Sequence, residues 1–96
     1  MKLVLICYNE GIDEEVIELL HRAGVEGYTK WTKVLGSGKT SGPHLYSHIW
    51  PKANNVIATV MSEEVAPVVF ENIRQMREKL GSEGVKAFVW QIEDVT

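Results

Sequence analysis

Two histidines, His44 and His48, lie four residues apart in a stretch of small, apolar and aromatic residues. Imidazole nitrogens are common ligands of transition metals, and the single cysteine, Cys7, would offer a soft thiolate. Two histidines rarely complete a metal site, so side chains from a neighbouring copy of the chain would have to contribute. The alternative is that the histidines pack beside Tyr46 and Trp50 or hydrogen-bond to the backbone, with Cys7 an inert buried thiol.

The segment Gly36-Ser37-Gly38-Lys39-Thr40 partly matches a phosphate-binding loop. It lacks the full G-x₄-G-K-[ST] spacing and a helix to follow it. Its backbone amides and Lys39 could still contact an anionic ligand, whereas the simpler interpretation is a flexible loop tip. Trp50, further along, could stack on a nucleotide base or be buried against another subunit. The sequence therefore predicts ligand contacts at Gly36, Gly38, Lys39 and Trp50.

An enzyme is a third interpretation, in which His44 or His48 acts as a general base. The sequence contains no recognisable set of nucleophile, base and orienting residue, no paired carboxylates that would point at one place, and no cofactor fingerprint. We therefore predict no catalytic residues.

The composition limits the kinds of partner that the protein can bind. The chain has 96 residues, of which 45% are hydrophobic, and a net charge of −3. We expect one domain covering residues 1–96. A mildly acidic chain with scattered basic residues is a poor nucleic-acid binder, and no apolar run approaches the roughly 20 residues of a membrane span. One cysteine fits a reducing cytoplasm.

Strand-forming and helical patterns alternate along the chain. Asp13, as the predicted N-cap, begins a helix that ends at Gly24, and a second helix follows Ser62 and ends near Leu80. Residues 35–54 contain glycines and prolines that predict an irregular loop. The predicted strands are Lys2–Tyr8, Tyr28–Leu35, Asn55–Met61 and Val85–Ile92. The order βαββαβ predicts an α+β, ferredoxin-like fold, with an antiparallel four-stranded sheet and two helices on one face.

The predicted strands are apolar on both faces. Leu3, Leu5 and Cys7 alternate with Val4 and Ile6 in the first strand, and neighbouring side chains of a strand point to opposite faces. Two helices can cover only one face of the sheet. We therefore predict a homo-oligomer in which copies of the chain cover the second face.

The element order, the chain length and the long loop after the second strand resemble the PII-like signalling superfamily. That family has a glycine-rich loop that binds phosphate, and it is partly matched here by Gly81, Gly84 and Lys86. The negative charge of Glu83 would repel a phosphate. The resemblance implies a homotrimer with inward-facing sheets, a small ligand such as a nucleotide in the clefts between subunits, and a T-loop, here residues 35–54, that contacts partner proteins. The leading prediction is a trimeric sensor that signals through this loop.

The chain also resembles the CutA group, a family of trimeric proteins with the same architecture that is associated with divalent-metal tolerance. This resemblance implies the alternative function, a protein that binds a divalent or soft metal ion through His44, His48 and Cys7.

Overall fold

The computed structural model describes residues 1–36, 53–81 and 84–96. The chain forms β1 (Lys2–Asn9), a 3₁₀ turn (Glu10–Ile12), α1 (Asp13–Arg22), β2 (Thr29–Val34), β3 (Asn54–Met61), α2 (Val65–Leu80) and β4 (Val85–Gln91). The strands form one sheet in the order β2-β3-β1-β4, and every neighbouring pair is antiparallel. The predicted ferredoxin-like βαββαβ fold is confirmed, and the strand bounds differ from the predicted ones by one residue at most.

One face of the sheet is buried within the chain. Val4, Ile6 and Tyr8 of β1 lie on this face, because alternate residues of a strand share a side. Ile6 is paired with Ile57 of β3, and both side chains are fully buried. The two central strands therefore form the floor of the core.

Both helices cover this buried face. Their apolar residues recur every three or four positions, so each helix turns one side to the sheet. They form a single hydrophobic cluster with the strand residues. The buried helical residues are Val16, Leu19 and Leu20 in α1 and Ala66, Val69 and Ile73 in α2. The prediction that the helices share one face is confirmed.

Local chemistry marks the ends of the helices. The Ser62 hydroxyl oxygen accepts a hydrogen bond from the Val65 amide at 3.1 Å, where α2 begins. Pro67 is tolerated in the first turn, where amides lack intrahelical partners. Gly81 ends α2 at φ +90°, a conformation that glycine adopts without steric cost. Within the described ranges, no helix is both long and apolar enough to cross a membrane.

The second face of the sheet is apolar, and none of the described residues forms a layer over it. Trp31, Phe88 and Trp90 are each about half exposed there, and Val60 is 38% exposed. The register brings Leu3 opposite Trp90 and Leu5 opposite Phe88. We call this surface the open face; it comprises Leu3, Leu5, Cys7, Trp31, Val56, Ala58, Val60, Phe88 and Trp90. The two-sided apolar character predicted for the strands is therefore present.

Candidate functional site

Four strand ends meet at one end of the sheet. β1 ends beside the start of β3, where Asn9 is paired with Asn54. It also ends beside the start of β4, where Tyr8 is paired with Val85. β2 ends at Val34, opposite Asn54. The connection from β2 to β3 and the connection from α2 to β4 therefore both attach at this end.

The turn after β1, residues 9–11, is bonded to both connections; we call it the junction turn. The Asn9 amide donates to the Gly84 carbonyl at 2.9 Å, and the Glu10 amide donates to the Ala53 carbonyl at 3.1 Å. The Asn9 side chain closes the turn by accepting from the Gly11 amide at 2.8 Å. The turn thus joins segments that are distant from it in sequence.

Lys33 adds a contact from the end of β2. Its ammonium group donates to the Glu10 carboxylate at 2.8 Å. Lys33 has φ +59° and is the only described residue other than glycine with a positive φ. It lies where the pairing of β2 with β3 shifts register between Trp31 and Val34. This irregularity lies beside the contact with the junction turn, and the residue types of the strand do not indicate it.

Several predicted ligand residues lie at this end of the sheet. A Cβ on Gly36 would come within 2.8 Å of the Asn54 side-chain nitrogen, so a larger residue there would require the Asn54 side chain to shift. The Gly84 carbonyl contacts the junction turn by accepting the hydrogen bond from the Asn9 amide. Gly81 ends α2, and its carbonyl accepts from the Gly84 amide at 3.4 Å. Lys86 follows on β4 and is exposed.

Cys7 is paired with Lys86 across the sheet and lies on the open face. Burial raises the pKa of the Cys7 thiol, and the positive charge of Lys86 partly offsets this effect. A raised pKa reduces the thiolate fraction, which is the form that binds metals. Within residues 1–36, 53–81 and 84–96, no group of three or more His, Cys, Asp or Glu side chains could hold a metal ion.

Five of the predicted site residues lie outside the described residues. They are Gly38, Lys39, His44, His48 and Trp50. Ligand binding by Gly38, Lys39 and Trp50 therefore stays a prediction, and so does metal binding by the two histidines. The described candidates that gather at one end of the sheet are Cys7, Gly36, Gly84 and Lys86, with Gly81 at the adjoining end of α2.

Asp13 is the centre of a polar cluster that sequence reasoning missed. It is the first residue of α1 and not the N-cap, which is Ile12 and makes no side-chain capping bond. The Asp13 carboxylate instead accepts from the Tyr8 hydroxyl at 2.5 Å, the Lys30 ammonium at 3.1 and 3.2 Å, and the Asn55 amide at 3.1 Å. The prediction that Asp13 is the N-cap was wrong, because its carboxylate is bonded to side chains from three different strands and not to the amides of the helix.

The cluster fixes the ionisation of its members. Burial opposes the charge on Asp13, but the hydrogen bonds from Tyr8, Lys30 and Asn55 outweigh it and hold the carboxyl pKa below its usual value. Burial, together with the bond to Asp13, raises the pKa of the Tyr8 hydroxyl. Asn55 Oδ1 is buried and receives no hydrogen bond from the described part of the chain. A sequence signal was present in Asn55, a polar residue at an inward position of an apolar strand.

Comparison with known families identifies the class of protein. The family described as nitrogen regulatory protein P-II matches residues 1–96. The chain therefore belongs to the P-II family, which confirms the resemblance inferred from the element order. No curated protein sequence matches the chain significantly.

Solved structures of PII-like proteins share the fold. The chain resembles CPII from Thiomonas intermedia K12 bound to ADP and bicarbonate, with 26% identity, a TM-score of 0.74, and coverage of 95% of this chain and 84% of CPII. It also resembles a PII-like signalling protein from Thermus thermophilus, with 26% identity, a TM-score of 0.67, and coverage of 93% of this chain and 82% of that one. CPII bound to ADP, AMP and acetate is 24% identical, with a TM-score of 0.73 and coverage of 97% and 88%.

Proposed function

We propose that the protein is a homotrimeric sensor that binds an adenine nucleotide, together with bicarbonate, between its subunits. The observation that carries this proposal is the match to the P-II family over residues 1–96. The ligands named for CPII, ADP and bicarbonate, give the proposal its chemical class. Both ligands are anions, so the site needs amide donors and a cation.

The end of the sheet that holds the junction turn supplies such groups. Gly84 precedes β4, and Lys86 is the second residue of β4. Lys86 is exposed in the single chain and is paired with Cys7 of the open face, so we place it at the rim of the cleft between subunits, within reach of a phosphate. Glycine allows close approach of a ligand to the backbone. Lysine binds phosphate as a point charge. Gly36, Gly81, Gly38, Lys39 and Trp50 complete the set of residues that we propose for ligand binding.

Trimer formation is supported by the open face. Monomeric proteins rarely expose large contiguous apolar patches, and such patches often mark protein interfaces. Two strands contribute Trp31, Phe88 and Trp90 to one side of the same sheet, each about half exposed. Subunits whose open faces meet would bury these side chains. A cleft between subunits then lies beside the strand ends, and the β2–β3 connection leaves from that end to contact a partner protein.

A binding experiment tests the ligand. Isothermal titration of the purified protein with ADP, with AMP, and with ADP plus bicarbonate should give saturable binding. Lys86→Gln should weaken ADP binding about tenfold or more, because a hydrogen bond to a charged group contributes about 1.5–3 kcal/mol.

Lys2→Gln is the matched control. Lys2 lies at the opposite end of β1, where it is paired with Gln91, so its loss should leave ADP affinity unchanged. Absence of binding in the unmodified protein would refute the nucleotide proposal, and equal losses in both variants would refute the location of the site. Thermal melts with zinc, copper and nickel test the metal alternative: stabilisation by a metal that His44→Ala abolishes would replace the nucleotide proposal.

A further inference from the structure

The contact between Lys33 and Glu10 differs in kind from the other contacts of the junction turn. The Asn9 and Glu10 amides make backbone bonds to Gly84 and Ala53. The ion pair instead joins two side chains, of which that of Lys33 is 73% exposed and that of Glu10 is 31% exposed, so solvent reaches the cationic end freely. Exposed ion pairs contribute little stability and break readily. The pair is therefore the contact of this turn that can most easily change.

The backbone of Lys33 stores strain beside that contact. Its φ of +59° lies in the left-handed region, which is unfavourable for a residue with a Cβ atom. Such strained residues persist only where their surroundings hold them, and they often occur at switch regions. The ion pair to Glu10 and the irregular pairing of β2 with β3 are the surroundings that hold Lys33.

We propose that the junction turn couples the end of β2 and the start of β3 to the start of β4, and that the Lys33–Glu10 ion pair adjusts this coupling. When the pair forms, Glu10 is held toward the end of β2, and its amide stays bonded to Ala53. Asn9 precedes Glu10 in the chain, so the bond from its amide to Gly84 responds to the same restraint. Breaking the pair loosens both backbone bonds together.

A regulatory consequence follows for the proposed nucleotide site, and this part rests on the proposed function. Gly84 and Lys86 belong to that site, while Lys33 lies next to the β2–β3 connection. Because coupling between two sites is reciprocal, a ligand held at Gly84 and Lys86 changes the stability of the Lys33–Glu10 pair. The pair in turn changes the affinity for the ligand.

Amide hydrogen exchange measured by NMR on the ligand-free protein tests the coupling itself. Lys33→Gln removes the charge and keeps a side chain of similar length. We expect the amides of both Glu10 and Asn9 to exchange about two- to fivefold faster, the range set by an exposed ion pair. The Ile57 amide, in the centre of the sheet, should exchange at an unchanged rate, which shows that global stability is preserved.

Two further variants sharpen the test. Glu18→Gln breaks the exposed Arg22–Glu18 pair on α1 and should alter neither the Glu10 nor the Asn9 amide. Lys33→Gly removes the ion pair but also relieves the left-handed strain. It should therefore melt at a higher temperature than Lys33→Gln and still show faster exchange at both amides.

The outcomes separate the two proposals. Faster exchange at Glu10 alone, or at neither amide, in Lys33→Gln would overturn the coupling. Where both amides respond, titration of the same variant with ADP tests the regulatory part: a two- to fivefold change in affinity supports it, and an unchanged affinity overturns it. If the unmodified protein binds no ADP, the proposed function fails, while the exchange result still decides the coupling.

Discussion

The two faces of the sheet differ although the same strands build them. In β3, Asn55, Ile57, Thr59 and Met61 are buried, whereas Val60 between them is 38% exposed. The buried set faces α1 and α2, and none of the residues that the structure describes covers the alternate set. Packing among the described residues therefore accounts for one face only. The apolar character of the other face needs a different explanation, which in our proposal is association with further copies of the chain.

The largest expected effect is the loss of that association. Trp90→Asp would place a carboxylate within an apolar interface, where an unpaired buried charge costs about 3–5 kcal/mol. If the protein is the trimer that we propose, sedimentation equilibrium should show monomers for Trp90→Asp and trimers for the unmodified protein. Val68→Asp is the matched control, since Val68 is exposed to a similar extent but lies on α2. Retention of the trimer in Trp90→Asp would exclude the open face as the interface.

The next effect compares truncations on the two faces of one strand. Ile57→Ala removes a fully buried side chain and should lower the free energy of unfolding by about 2–5 kcal/mol. Val60→Ala, on the open face, should cost less than about 1 kcal/mol at protein concentrations low enough to dissociate the proposed trimer. Urea unfolding measures both values. Similar losses for the two variants would mean that the faces are equally packed within one chain.

The smallest expected effect is on the free energy of unfolding when the Asp13 carboxylate, which lies on the covered face, is replaced. Asp13→Asn keeps the shape of the side chain but removes the charge that Lys30 contacts, which should cost about 1–3 kcal/mol at neutral pH. Because the pKa of Asp13 is lowered by folding, its contribution is complete above the ordinary value of 3.8 and is lost as the pH falls below it. Urea unfolding from about pH 7 to about pH 3 should therefore show a flatter pH dependence in Asp13→Asn. Parallel curves for the two proteins would show that Asp13 does not contribute to the acid sensitivity.

The sequence predicted the fold well because the fold depends on periodic patterns. Runs of apolar residues such as Lys2–Tyr8 indicate the strands, and apolar residues at helical spacing indicate the helices. The alternation within the first strand also indicated a second apolar face. These patterns repeat over many residues, so an error of one position at an end changes little.

The site was predicted less completely because its contacts are nonlocal. Asp13 followed by Glu14 and Glu15 looks like the start of a helix, and only the sheet brings Lys30 and Asn55 to its carboxylate. The left-handed conformation of Lys33 was missed since lysine is not a residue that marks turns. Among the glycines, Gly36 and Gly84 were recognised as candidates for ligand binding, but their contacts with Asn54 and Asn9 depend on the register of the sheet.

The strand order also constrains the biosynthesis of the protein. β1 is made first, yet its partners in the sheet are β3 and β4, so that Lys2 is paired with Met61 and with Gln91. Contacts that are distant in sequence slow folding, because the entropy of closing the long intervening loop is lost before the contacts stabilise the chain. A nascent chain that ends before Val85 has no partner for one edge of β1. We expect stable folding, and with it the appearance of the open face as a defined surface, only after the last strand has left the ribosome.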